Sequence, residues 1–151
     1  MTDMQHIEEL VHQLRSPNSK EAYTALKSLE ETSASSNAVY VYIDTFIEMI
    51  RDSNSYVRTR GLVLIACNAK WDEEEKIEGI LEEYLSHVTD EKPITARQCV
   101  KSLAVIGEAK PNLAPVIIAS LRNADLSQYP DTMRPLVQKD IADVLLALEQ
   151  E

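Results

Sequence analysis

Glycine is scarce in this 151-residue chain, with three residues in all, and the six prolines fall between apolar segments rather than through them. Sheets and barrels need many more turn glycines, so the composition argues for helices joined by short connectors. Cysteine is nearly absent as well. Cys67 and Cys99 each sit inside an apolar helical segment, with no second cysteine or histidine at metal-ligand spacing. Buried, reduced thiols are the reading that follows. No apolar run approaches the roughly 20 residues needed to span a bilayer. The first ten residues, "MTDMQHIEEL", carry acids where a signal peptide needs a basic region before an apolar core. A cytoplasmic protein without membrane contact is expected. Positive charge is the remaining shortage: 25 Asp and Glu stand against 15 Lys and Arg, a net charge of -10. A phosphate backbone rewards the opposite balance, so nucleic acid is a disfavoured partner, although a local basic stripe is still allowed.

What the chain does have is helical periodicity. Ile7, Leu10, Val11 and Leu14 recur at i, i+3, i+4 and i+7 and make one apolar stripe. Seven further segments follow. The second carries Ala22, Tyr23, Leu26 and Leu29 and yields to the polar stretch "ETSASSN"; the third carries Val39, Ile43, Phe46, Ile47 and Ile50. Val57, Gly61, Leu64, Ile65 and Asn68 form one face of the fourth. The acids of "DEEE", residues 72–75, are placed to begin a fifth helix, since a helix N-terminus favours negative charge. Pro93 near the start and Gly107 near the end bracket a sixth, Pro115 stands early in a seventh, and a longer connector, "ADLSQYPD", leads to the eighth. The length suits a single domain with a sizeable core.

The segments repeat. Lys20, Arg58, Arg97 and Arg134 stand near the starts of the even-numbered helices at separations of 38, 39 and 37, and Asp52 and Asp90, 38 apart, precede two of them. A period near 38 with two helices per unit belongs to α-solenoids, whose helical pairs bury their apolar faces by stacking on neighbours. The expected architecture is all-α, an α-α superhelix of about four pairs in one domain, with approximate repeats 1–36, 37–72, 73–110 and 111–151.

"IRDSNSYVRTRGLVLI", residues 50–65, resembles the core of a HEAT (armadillo-like) repeat: Asp52 matches the turn aspartate, and Val57 and Arg58 match the valine-arginine pair opening the second helix. "VTDEKPITARQCVKSL" resembles it with one extra turn residue, which gives Asp90 and Arg97 the same roles. In the first repeat Ser16 or Asn18 replaces the acid and Lys20 the arginine; in the fourth, Asp125 or Asp131 is the counterpart. The whole chain is similar to short bacterial HEAT-repeat proteins, some labelled SufBD-related. That label implies iron-sulfur assembly by β-helical proteins, which the helical periodicity here does not match. The resemblance implies a ladder of turn acids and helix-start bases, made of Lys20, Asp52, Arg58, Asp90, Arg97 and Arg134, and an inner face lined by the second helices.

Arg60 has no place in such a ladder and is expected to face solvent. With Lys27, Arg97 and Lys101 it would form a basic stripe on a concave face, able to grip an acidic segment of a protein partner. A second candidate surface is the run from Asp72 to Glu91, nine acids against one lysine, with Trp71 at its edge. Some alkylpurine DNA glycosylases are also built from HEAT-like repeats, so a nucleic-acid-binding or repair module that uses Trp71 and Asp72 is one alternative; a regulatory accessory subunit of an enzyme is another. Catalysis finds little support: His6, His12 and His87 lack zinc-site spacing, no phosphate-binding glycine loop or G-x-S-x-G occurs, and the His-Glu pairs of HEAT-like hydroxylases are missing. The sequence therefore predicts a non-catalytic scaffold with no cofactor and no metal.

Overall fold

The apolar stripe of Ile7, Leu10 and Val11 folds as α1 (Asp3–Gln13), with all three side chains buried. The computed structural model describes residues 3–149, and those residues contain eight α-helices and no strand. Asn18 caps α2 (Ser19–Ser35) by accepting from the backbone N–H groups of Lys20 and Glu21. This helix runs through most of the stretch expected to be a polar loop. The hydroxyls of Thr32 and Ser33 bond back to the carbonyls of Ser28 and Leu29, at 3.0 and 2.7 Å, and Ser33 Oγ in turn accepts from Asn68 Nδ2 at 3.2 Å. A 3₁₀ turn at Tyr40–Tyr42 leads into α3 (Ile43–Met49), and Asn54 caps α4 (Ser55–Cys67) as Asn18 caps α2.

The acids of residues 72–75 do not open a helix. A 3₁₀ turn at Ala69–Trp71 precedes them, Glu75 adopts a left-handed conformation at φ 57°, and α5 (Lys76–Leu85) begins one residue later. The positive φ of Glu75 breaks the helical path between "DEE" and Lys76. After a 3₁₀ turn at Ser86–Thr89 come α6 (Pro93–Ala109), with its proline in the first turn, then α7 (Ala114–Arg122) and α8 (Arg134–Glu149).

These elements gather into two compact units that divide after Asp72. In the first, α1 packs on α2, α3 on α4, and α2 on α4. Phe46, Leu62, Leu64 and Ile65 are wholly buried there. Gly61 lets α3 approach α4 closely: a Cβ at that position would lie 2.8 Å from the Phe46 carbonyl oxygen and 2.9 Å from Met49 Cβ. In the second unit α6 is central and touches α7, α8 and the 3₁₀ turn that follows α5. Tyr84, Leu103 and Ile106 are fully buried in it, and Gly107 leaves room for Leu148 of α8.

Candidate functional site

Each turn that precedes an even-numbered helix carries the same hydrogen bond. Ser16 Oγ accepts from the Asn18 N–H at 3.1 Å, Asp52 Oδ1 from Asn54 at 2.8 Å, Asp90 Oδ1 from Lys92 at 2.9 Å, and Asp125 Oδ1 from Ser127 at 3.0 Å. In the first three, the donor is the N-cap of the next helix. A side-chain oxygen that accepts two residues onward closes the turn and aims the chain into the helix. Ser16, rather than Asn18, thus occupies the acid's place in the first turn. Asp125 occupies it in the fourth, where Asp131 instead pairs with Arg134 at 2.9 Å. Successive turns are tied together within each unit. Arg15 Nη1 donates to Asp52 Oδ2 at 2.9 Å; Gln128 Nε2 donates to the Thr89 carbonyl at 2.9 Å, and the Tyr129 hydroxyl donates to the Asp90 carbonyl. The Asn54 N–H, with Arg15 beside it, holds the Asp52 carboxyl below its ordinary range.

The basic members of the expected ladder do not share one position. Counted from the N-cap, Lys20 is second in its helix, Arg58 fourth and Arg97 fifth, while Arg134 opens α8. Each residue turns a helix by about 100°, so a slip of one or two residues sends the side chain elsewhere. Lys20 is exposed. Arg58 is buried and donates Nη1 to the carbonyls of Asp52 and Ser53, at 3.1 and 3.0 Å, clamping its own turn. Arg97 Nε donates to Asp140 Oδ2 on α8 at 2.7 Å, a bond that raises its pKa further. Arg134 Nη2 donates to the Tyr129 carbonyl at 2.8 Å.

Of the four residues of the expected basic stripe, Lys27 and Arg60 lie in the first unit and Arg97 and Lys101 in the second. The expectation that Arg60 faces solvent is corrected: it is half-buried, and Nη1 donates to the Leu14 carbonyl just beyond α1 at 2.7 Å. Carbonyls at a helix C-terminus have no partner within the helix, and the guanidinium supplies one. Burial lowers the pKa of Arg60. Arg97 is engaged by Asp140, which leaves Lys27 and Lys101 as the exposed cations of the four. Lys27 Nζ lies 5.4 Å from the Tyr23 ring centroid and 3.1 Å from Glu30 Oε2, an ion pair three residues apart. The Glu30 contact raises the Lys27 pKa.

Aromatic exposure is what sequence reasoning missed. Tyr23, assigned to the apolar filling of α2, is 59% exposed, and Tyr56, one helical turn before Arg60 on α4, is 70% exposed. The available signal was the placement of Tyr23 one turn before Lys27, since i and i+4 share a helix face.

The acidic run 72–91 is not one solvated face. Asp72 is buried and accepts from the Tyr40 hydroxyl; Glu78 accepts from Lys110 Nζ at 2.8 Å; and Asp90 closes its turn while His87 Nδ1 lies 2.8 Å from its second oxygen. Trp71 is half-buried, donates Nε1 to the Ser33 carbonyl at 2.8 Å, and has Lys70 over its ring. Cys67 is half-buried and its thiol is pushed up to about 11 by burial; burial also raises that of Cys99. Among the described residues no group of three or more His, Cys, Asp or Glu could hold a metal ion, and no helix is long and apolar enough to cross a membrane. Comparison with protein-family models, with curated proteins and with solved structures gave no match.

Proposed function

We propose that the chain is an α-solenoid of HEAT-like helical pairs that acts as a non-catalytic protein-interaction module, with the exposed faces of its second helices as the docking surface. The observation that carries this reading is the pair of tyrosines in the first unit, Tyr23 and Tyr56, which keep 59% and 70% of their surface in water on well-formed helices. Tyrosine offers a large amphipathic contact area at little cost in side-chain entropy, and it is enriched where interfaces concentrate their binding energy. Lys27 beside Tyr23 adds one exposed cation, and Lys101 adds another in the second unit. An acidic partner segment suits these lysines locally. Screening over about 8 Å at physiological salt confines the opposing net charge of the chain to longer range.

The test is quantitative affinity purification from the native cell with the intact protein, the Tyr23→Ala/Tyr56→Ala variant and a Lys27→Glu/Lys101→Glu variant. All four side chains are exposed, so each variant should unfold at a temperature close to that of the parent. The expected result is one saturable protein partner, lost with the tyrosine pair and weakened by charge reversal. Equal recovery by all three proteins, or recovery of nucleic acid alone, would overturn the reading.

A further inference from the structure

The connector between α7 and α8, residues 123–133, is the longest stretch without a helix among the described residues. Long loops inside compact folds are often functional. This one lines one side of an open pocket of about 460 Å³ in the second unit, a volume in the range of small-ligand sites. Leu121 from α7, Leu126 from the connector and Ile141 from α8 supply its apolar wall; Ser127, Arg134 and Gln138 supply the polar groups.

Arg134 is held but not saturated. Its Nη2 donates to the Tyr129 carbonyl at 2.8 Å, which fixes the guanidinium against the connector. Its Nη1 donates to Asp131 Oδ1 at 2.9 Å, and the Asp131 side chain is 93% exposed. The Nε–H is buried and has no hydrogen-bond partner among the described residues. An exposed pair three residues apart holds weakly, because water and salt compete for both members. Arginine matches the planar geometry of a carboxylate, so Asp131 occupies the position that a ligand carboxylate would take.

We propose that this pocket binds a small aliphatic monocarboxylate. Its carboxylate displaces Asp131 from Arg134 Nη1, and its tail lies against Leu121, Leu126 and Ile141. A single guanidinium paired with Asp131, in a chain of net charge -10, favours a monoanion over a doubly charged phosphate. This site is independent of the tyrosine surface.

The experiment is an NMR titration of the ¹⁵N-labelled protein with sodium hexanoate, read at the Arg134 Nε–Hε signal and at the amides of Leu126, Ser127 and Gln138, with acetate and 1-hexanol as controls. Saturable shifts confined to these signals are expected, weaker for acetate, which lacks the tail, and weaker for hexanol, which lacks the charge. Asp131→Asn removes the internal competitor while leaving the Tyr129 anchor intact, and should tighten hexanoate binding by about two- to fivefold. Arg134→Gln should abolish it. Unsaturating shifts, hexanol binding as tightly as hexanoate, or an Asp131→Asn variant with unchanged affinity would each overturn the proposal, whether or not the Arg134 variant keeps its fold.

Discussion

Arg58 and Arg60 stand two residues apart in "YVRTRG" and meet different surroundings because that spacing turns the helix through about 200°. Arg58 is enclosed by its own turn; Arg60 reaches back to the end of α1. Removing the buried Arg58 side chain leaves two part-buried turn carbonyls without their donor and a gap in the packing, so Arg58→Ala should cost about 2–4 kcal/mol, whereas Arg60→Ala should cost about 1 kcal/mol, both read by urea denaturation. The glycines make an equally sharp contrast. A Cβ at Gly79, on the exposed side of α5, meets nothing within 4 Å, so Gly79→Ala should stabilise the protein by up to about 1 kcal/mol through helix propensity. Gly61→Ala must push α3 away from α4 and should destabilise by about 1–3 kcal/mol. The two thiols are predicted to react slowly. At pH 8 a free cysteine is partly ionised, but burial keeps Cys67 protonated up to about pH 11, and Cys99 is fully enclosed. A chromogenic disulfide reagent should therefore label Cys67 far more slowly than a free thiol and Cys99 only on unfolding. Rapid labelling of both at pH 8 would contradict the packing described.

At the scale of elements, the eight helices were legible because most carry an apolar stripe with a period near 3.6 and several boundaries carry a capping or breaking residue. Asn18, Asn54 and Pro93 mark three starts. Two boundaries were not legible. The hydroxyls of Thr32 and Ser33 read as loop chemistry, yet they bond back into α2, and the acids 72–75 read as a helix start, yet the left-handed Glu75 intervenes. The repeated device is the turn acceptor, and its sequence signal was partly hidden because serine replaces aspartate in the first copy. Asp52 makes this device testable by pH. Its folded pKa lies below the unfolded value of about 3.9, so the unfolded chain binds more protons through that window. The contribution of Asp52 is complete above about pH 4 and is lost as the pH falls through the folded value. Asp52→Asn keeps a side-chain acceptor for the turn but not the charge that faces Arg15. It should therefore be less stable than the parent at neutral pH, with the difference shrinking on acidification in paired denaturation curves.

For the whole molecule, the packing gathers the chain into two compact units that divide after Asp72, where a single domain was expected. Each unit has its own buried residues and its own turn-to-turn ties, and Trp71 is the one tryptophan of the chain. Stability in arrays of helical pairs is largely local, a sum of unit and nearest-neighbour terms. Gly61→Ala should accordingly lower hydrogen-exchange protection in α3 and α4 more than in α6 and α8. An equal loss in all four would show that the chain opens as one cooperative body. The sequence alone determined the all-helical class and the number of helices, because these depend on interactions within a few residues. It also determined the acidic balance. Only the tertiary structure decided which cations are free and which acids are buried. Arg60 finds Leu14, Arg97 finds Asp140 and Lys110 finds Glu78, each across more than 30 residues of chain. A hydrogen bond of that reach depends on where another helix ends in space, and no local pattern records it. Tyr23 stands for the complementary case, a residue of core type whose ring remains in water because, among the described residues, no element packs over that face of α2.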